Sequence, residues 1–289
     1  MTQPNDNQDD DLQPVLRGFE KEFGPRREDE PAPTYGEARP IPPQQNYRLS
    51  LPLRRPRAVW MLLAINVIVF VIPELLGLLG VRIAGFPPGA VVRALGAKDN
   101  EQIAVSGEYY RFLTAMFLHG GLLHIAFNAY ALYALGPEAE RIYGTTRFLA
   151  LYFIAGLAGG VASYALNPSP AVGASGAIFG LIGGLAAFYY VSRRLLGEVS
   201  RQQLGSLITV IMINLFIGFS SPLIDNTAHI GGLIGGAAIG WLLAPRFTID
   251  EWLYPPAIVR RSQPWAWPGA LGFLALLVVL AIVINPPIR

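Results

Sequence analysis

The 289-residue chain contains no cysteine. Disulfides, thiolate nucleophiles and cysteine-held zinc are excluded together, while the compartment stays open, because a missing residue fits either redox environment. Charge is scarce as well: Asp, Glu, Lys and Arg make up 15% of residues, against roughly 25% in a soluble domain. A net charge of +2 is too small to argue for a nucleic-acid partner. Histidine occurs only three times. No HExxH pattern or carboxylate cluster accompanies it, so no metal and no other cofactor is expected. What abounds is apolar, with 52% hydrophobic residues and a mean hydropathy of +0.39. This is the composition of a membrane protein.

Residues 1–56 are a different material. NDNQDDD and KEFGPRREDEPAPTYGEARPIPPQQNYR are charged and proline-rich, with too few apolar residues to offset the entropy of ordering, and predict a disordered cytoplasmic tail. A signal peptide needs an apolar centre and a mitochondrial presequence is poor in acids; the segment fails both tests. The first apolar span would therefore direct membrane insertion.

After LRRPR at 53–57 one pattern repeats: an apolar run near the ~20 residues that cross a bilayer as helix, then a short polar or basic break. The runs are 58–80, 112–135, 147–166, 173–191, 204–222, 227–244 and 265–285. Helices are expected throughout, because a lipid-exposed backbone must satisfy its own hydrogen bonds. Pro73 and Glu74 make the first run the weakest, one expected to leave the membrane early. The expected fold class is all-α, a polytopic membrane bundle of seven transmembrane helices. Residues 57–246 would form its core, and 247–289 a cytoplasmic linker plus the seventh helix.

Arginines set the orientation. Arg54, Arg55 and Arg57, then Arg141 and Arg147, then Arg193, Arg194 and Arg201, then Arg246, Arg260 and Arg261 fall in alternate breaks, all on one side of a seven-span chain. The other side receives Arg82, Arg93, Lys98 and Arg111 in one long loop, and Arg289 at the terminus. The positive-inside rule then places the N-terminus in the cytoplasm. Spans two, four and six enter from outside, and each carries its polar residues near its beginning: His119, His124 and Asn128; Ser175; Asn226 and His229. At ~1.5 Å per residue these groups lie at comparable depth and can meet.

Helical spacing sharpens this. His124 and Asn128 are i,i+4, as are Ser175 and Phe179. Gly176, Gly180 and Gly184 form one small-residue stripe, and Gly232, Gly236 and Gly240 continue another from His229. Such stripes let membrane helices approach closely, which would set Ser175 beside His229. Each feature alone has a plain structural explanation: glycine stripes are packing devices, a serine among them is commonly just small, a lone membrane histidine is often hydrogen-bonded structure, and Phe179 reads as core. Together they suggest chemistry. A neutral imidazole can take the proton of a serine hydroxyl, and the Ser175 N–H with His124 and Asn128 could receive an oxyanion. Asp225 lies near the surface, so a Ser-His dyad is favoured over a triad.

GEYYRFLTAMFLHGGLLHIAFNAYALYALGPEAERIYG, GLAGGVASY, GASGAIFGLIGG and DNTAHIGGLIGG, in this order, resemble the rhomboid intramembrane serine proteases over roughly residues 58–244. The resemblance implies a six-helix catalytic core with one extra C-terminal helix, acting on single-span membrane proteins within or near their transmembrane segment. It implies a multi-pass protein of a bacterial plasma membrane, in contact with lipid and without a cofactor. Ser175 matches the nucleophile, His229 the base, and His124 and Asn128 the oxyanion-binding pair, with Gly173 beside them. His119, Phe179, Asn226 and Arg111 are supporting positions. Two departures stand out: Tyr110-Arg111 where the family often has Trp-Arg, and Phe179 where many members carry tyrosine. An inactive, client-binding relative is the alternative, although such proteins typically lose the serine or the histidine.

Overall fold

The computed structural model describes residues 51, 53–250, 252 and 257–288. The expected tail over 1–56 falls, except for 51 and 53–56, outside the described residues.

The chain is a helical bundle. Helix α1 spans Ala58–Leu78, and the short helices α2 (Pro88–Gly96), α3 (Asn100–Ala104) and α4 (Arg111–Thr114, continued by a 3-10 turn Ala115–Phe117) build the loop after it. Then come α5 (Leu122–Tyr143), α6 (Thr145–Leu166), α7 (Ser175–Val191), α8 (Arg193–Leu196), α9 (Glu198–Phe219) and α10 (Asn226–Leu243). Strands β1 (Arg246–Asp250) and β2 (Ala257–Arg261) precede α11 (Ala266–Val283). Among the described residues α1, α6, α9 and α11 are long and apolar enough to cross a membrane, and α5 joins them when taken with the segment bent away before it. The protein is an integral membrane protein.

The expected second span, 112–135, is not one straight helix. Arg111–Phe117 is turned 91° from Leu122–Tyr143, because Leu118 is extended and Gly120-Gly121 carry no helix across the break. At its far end α5 runs through Pro137 to Tyr143. Tertiary contacts hold this last stretch: the Tyr143 hydroxyl donates to Gly184 O at 2.7 Å and Gly240 O at 3.1 Å. Glu140 accepts the first backbone N–H groups of α1, from Ala58 at 3.0 Å and Val59 at 2.9 Å, donors that have no partner inside their own helix. Helix α1 also continues through Pro73, and Glu74 pairs with Arg93 at 2.7 Å. The linker after the core contains an antiparallel hairpin, Arg246 pairing with Arg261 through to Asp250 with Ala257. Its Phe247 packs edge-on against Phe188 of α7.

At the centre the two glycine stripes interlock. A Cβ on Gly232 would lie 2.0 Å from Gly176 O, one on Gly236 2.3 Å from Gly180 Cα, and one on Gly240 2.4 Å from Gly184 Cα. Only hydrogen fits at these crossings, so α7 and α10 touch backbone to backbone over their length. The third wall is α6, where a Cβ on Gly159 would meet Ala228 O at 2.6 Å. Contact this close gains dispersion and leaves no room for lipid between the helices.

Candidate active site

Ser175 is the first residue of α7, and His229 lies in the first turn of α10. Because Gly232 seats against Gly176, those two helix starts are held together. The His229 ring stacks on Phe179 with centroids 4.3 Å apart and planes 10° from parallel. Phe179 sits one turn below Ser175 on the same helix face, so the stack brings the imidazole to the serine's side of α7. His229 is buried, and its Nδ1 is enclosed with no hydrogen-bond partner among the described residues. Among the described residues no hydrogen bond joins Ser175 to His229.

Asp225 caps α10: its carboxylate accepts the Ala228 N–H at 3.1 Å and the hydroxyls of Ser163 and Thr227. Burial works against its ionisation, and these hydrogen bonds outweigh it, leaving the carboxyl below its ordinary value of 3.8. With its oxygens engaged this way, it orients the helix carrying His229 rather than the ring itself.

His124 approaches from the other side. Its Nδ1 accepts the Gly120 N–H at 3.3 Å, which assigns the ring proton to Nε2. That Nε2 lies 2.7 Å from where a Cβ on Gly173 would be, and Ser175 Oγ lies 3.6 Å from the same point. Gly173 has φ 133°, a conformation that L side chains rarely adopt, and its N–H is held by Ala115 O at 2.9 Å. Glycine is therefore needed twice over, for backbone and for space. Asn128 is buried, and its Nδ2 donates to His124 O at 2.9 Å, leaving its second N–H free to donate.

The supporting positions divide. His119 is buried, with both ring nitrogens lacking a hydrogen-bond partner among the described residues, and meets His124 edge-on at 5.2 Å. Arg111 is a loop anchor: Nε donates to Glu108 at 2.6 Å, and Nη1 to Ala94 O at 2.9 Å and Ala97 O at 3.0 Å. Tyr110 sets its ring beside the Arg111 guanidinium and its hydroxyl on Glu108. Asn226 sets its side chain against Gly218 at the end of α9.

Sequence reasoning missed the clasp that holds the segment leading to Ser175. Lys98 is almost fully buried, and its Nζ donates to Asn167 O at 2.7 Å, Ser169 O at 2.8 Å and Asn100 Oδ1 at 3.0 Å. Its backbone exchanges two hydrogen bonds with Ala171, both 2.9 Å. Asn100 in turn donates to Pro287 O at 2.7 Å, tying the chain after α11 into the same loop. The available signal was a lysine and an Asp-Asn pair set between the apolar stretches ALGA and IAV.

A helical membrane bundle with a glycine-seated serine at one helix start and a ring-stacked histidine on its neighbour defines a class. The chain belongs to the rhomboid family: the Rhomboid domain model matches residues 106–246, which contain Ser175, His229, His124, Asn128 and Gly173 but not the Lys98–Asn100 clasp. It is 40% identical over 191 residues to Rhomboid protease GluP of Bacillus subtilis (strain 168), covering 64% of this chain and 35% of that protein. It is 33% identical over 139 residues to Putative rhomboid protease YdcA of the same organism, covering 47% of this chain and 68% of that one. RHOMBOID-like protein 5 of Arabidopsis thaliana is 32% identical over 204 residues, covering 68% and 65%. The chain thus matches about a third of GluP and about two thirds of the other two.

Proposed function

We propose that this protein is an intramembrane serine endopeptidase that cleaves single-span membrane proteins within or near their transmembrane segment, using Ser175 and His229 as a dyad. The observation that carries the reading is the His229–Phe179 stack above the Gly176–Gly232 crossing. It fixes an imidazole beside the start of the helix that presents the serine. Protease-named relatives support it.

In this mechanism Ser175 Oγ attacks the scissile carbonyl carbon as its proton passes to His229. With Nδ1 enclosed, Nε2 is the nitrogen that takes it. The negative charge on the former carbonyl oxygen is received by His124 Nε2–H, the free Asn128 N–H and the Ser175 backbone N–H at the start of α7. His229 then gives the proton to the departing amine, and water, activated by the same imidazole, releases the acyl-enzyme. Catalytic hydrogen bonds are often long before substrate arrives, so the missing Ser175–His229 bond is compatible with this scheme.

The proposal includes seven membrane crossings, an N-terminus in the cytoplasm and a bacterial plasma membrane as location. The alternation of arginine-bearing breaks supports the orientation. A client-binding protein without activity is the competing reading, and the unformed serine–histidine hydrogen bond is the observation on its side.

A fluorophosphonate probe on the detergent-solubilised protein tests the proposal. Labelling at one serine, abolished by Ser175→Ala and nearly abolished by His229→Ala, is the expected result. Asn128→Ala should retain part of it, since one donor among three is lost. A folded wild type that neither labels nor cleaves a reporter would leave the client-binding reading standing.

A further inference from the structure

The end of the bundle opposite Ser175 carries an arrangement that proteolysis does not use. Arg54 precedes α1, Gly144 joins α5 to α6, Arg147 lies in the first turn of α6 and Arg260 is on β2. A cleft of about 390 Å³ opens there, lined by Leu53, Arg54, Ile258, Val259 and Arg260. Arg54 and Arg260 converge on one point: a Cβ on Gly144 would have Arg54 Cγ at 3.6 Å, Arg260 Nη2 at 3.7 Å and Arg260 Nη1 at 3.8 Å.

No carboxylate among the described residues pairs with this cluster. Among the described residues the ion pairs are Arg93–Glu74, Arg111–Glu108 and Arg201–Glu198, and none includes Arg54, Arg147 or Arg260. Glu140, on the same end of the bundle, uses its oxygens on the Ala58 and Val59 N–H groups and the Thr145 hydroxyl. Arg147 bonds Leu243 O and Ser262 Oγ. Arg260 Nη2 donates to Tyr143 O, while its Nη1 is enclosed with no acceptor among the described residues. Burial, then the charges of Arg147 and Arg54, push the Arg260 guanidinium down to about 10. Holding like charges together around a donor that lacks an acceptor is costly unless an anion completes the group.

We propose that this cleft binds a phosphate-bearing anion, supplied in the membrane by the headgroup of an anionic phospholipid. Guanidinium groups match phosphate oxygens in geometry and charge. The mixed lining favours a lipid over a free ion, because Leu53, Ile258 and Val259 offer apolar surface for the glycerol and upper acyl chain beside the arginines. Basic pockets at helix ends are the usual place for such headgroups. The site depends on the bundle lying in a membrane and not on the serine chemistry.

The test measures thermal unfolding of the full chain in detergent by tryptophan fluorescence, with three additives: dihexanoylphosphatidylglycerol, dihexanoylphosphatidylcholine and inorganic phosphate. Phosphatidylglycerol should raise the melting temperature saturably and phosphatidylcholine should not. A midpoint for phosphatidylglycerol at least about tenfold below that of phosphate assigns the site to the lipid. Equal midpoints would keep the anion site and overturn the lipid as its source. The double variant Arg54→Gln/Arg260→Gln should weaken the response about tenfold or more, with exposed Arg54→Gln as the milder variant if the double one folds poorly. Arg194→Gln, an exposed arginine elsewhere, controls for general charge, and Ser175→Ala should respond as wild type. An equal response to phosphatidylcholine, or an undiminished response in the arginine variants, overturns the proposal. So does a response seen only after deletion of residues 1–47, which would make the acidic stretch of the chain itself the occupant.

Discussion

Replacing Gly232 by alanine tests whether the α7–α10 crossing positions the chemistry. The new Cβ would lie 2.0 Å from Gly176 O, 2.8 Å from its carbonyl carbon and 3.1 Å from its Cα. All three are backbone atoms of the residue that follows Ser175, so no side chain can swing aside. Restoring ordinary contact at 3.4 Å needs the helices to part locally by about 1.4 Å. Overpacking of this kind costs about 1–3 kcal/mol, partly offset by the up to ~1 kcal/mol that alanine gains over glycine in a helix. The catalytic effect should be larger, since a displacement near 1 Å can cost about 100-fold in rate. Gly240→Ala supplies the comparison. Its Cβ meets Gly184 Cα at 2.4 Å, a similar clash, but eight residues further along, about 12 Å from the site. Gly205→Ala on α9 meets nothing within 4 Å and should leave both properties intact. The assay is kcat/KM on a transmembrane reporter beside the melting temperature of each variant. Gly232→Ala should lose far more activity than Gly240→Ala at comparable stability. Equal activity in the two, with both folded, would refute the claim that this crossing sets the serine–histidine geometry.

Lys98→Met should lower kcat with little change in KM, because the clasp orders residues 167–171 rather than touching substrate; loss of its three hydrogen bonds, one buried and two part-buried, should also cost roughly 1–3 kcal/mol in unfolding. An unchanged kcat in a folded variant would remove Lys98 from that role. Asp225→Asn should melt below wild type at neutral pH, and the gap should close as pH falls. The folded carboxyl titrates below its ordinary 3.8, so its stabilisation is present above that value and is lost as pH drops through the lower folded one; a pH-independent gap would show that its charge contributes nothing. Cysteines at Arg194 and Arg261 should be shielded from an impermeant thiol reagent in intact cells while one at Pro168 reacts, and reversed labelling would overturn the orientation. Pro168 is exposed, whereas Asn167 is engaged by Lys98 and Asn100.

Much of this protein is written in periodicities of its chain. Apolar runs near membrane-crossing length located α1, α6 and α11 to within two residues and α9 with a start six residues late, because burial in lipid is a local property of each segment. The glycine stripes at 176, 180, 184 and 232, 236, 240 could be paired in advance, since a helix surface is a fixed function of spacing and only small residues admit backbone contact. What tertiary structure alone decided involves partners distant in sequence or a change of direction. The 91° turn before Leu122 falls at extended Leu118 and Gly120-Gly121, and an apolar count from 112 to 135 that passes over those glycines does not give the change of direction. The β1–β2 hairpin is a pairing across a gap, in a stretch too polar to read as a span and too short to read as a sheet. Lys98 looked like one more outer-loop cation until the fold brought carbonyls from some seventy residues away to its ammonium. Local sequence determines which surfaces a helix can offer; long-range packing determines which of them meet.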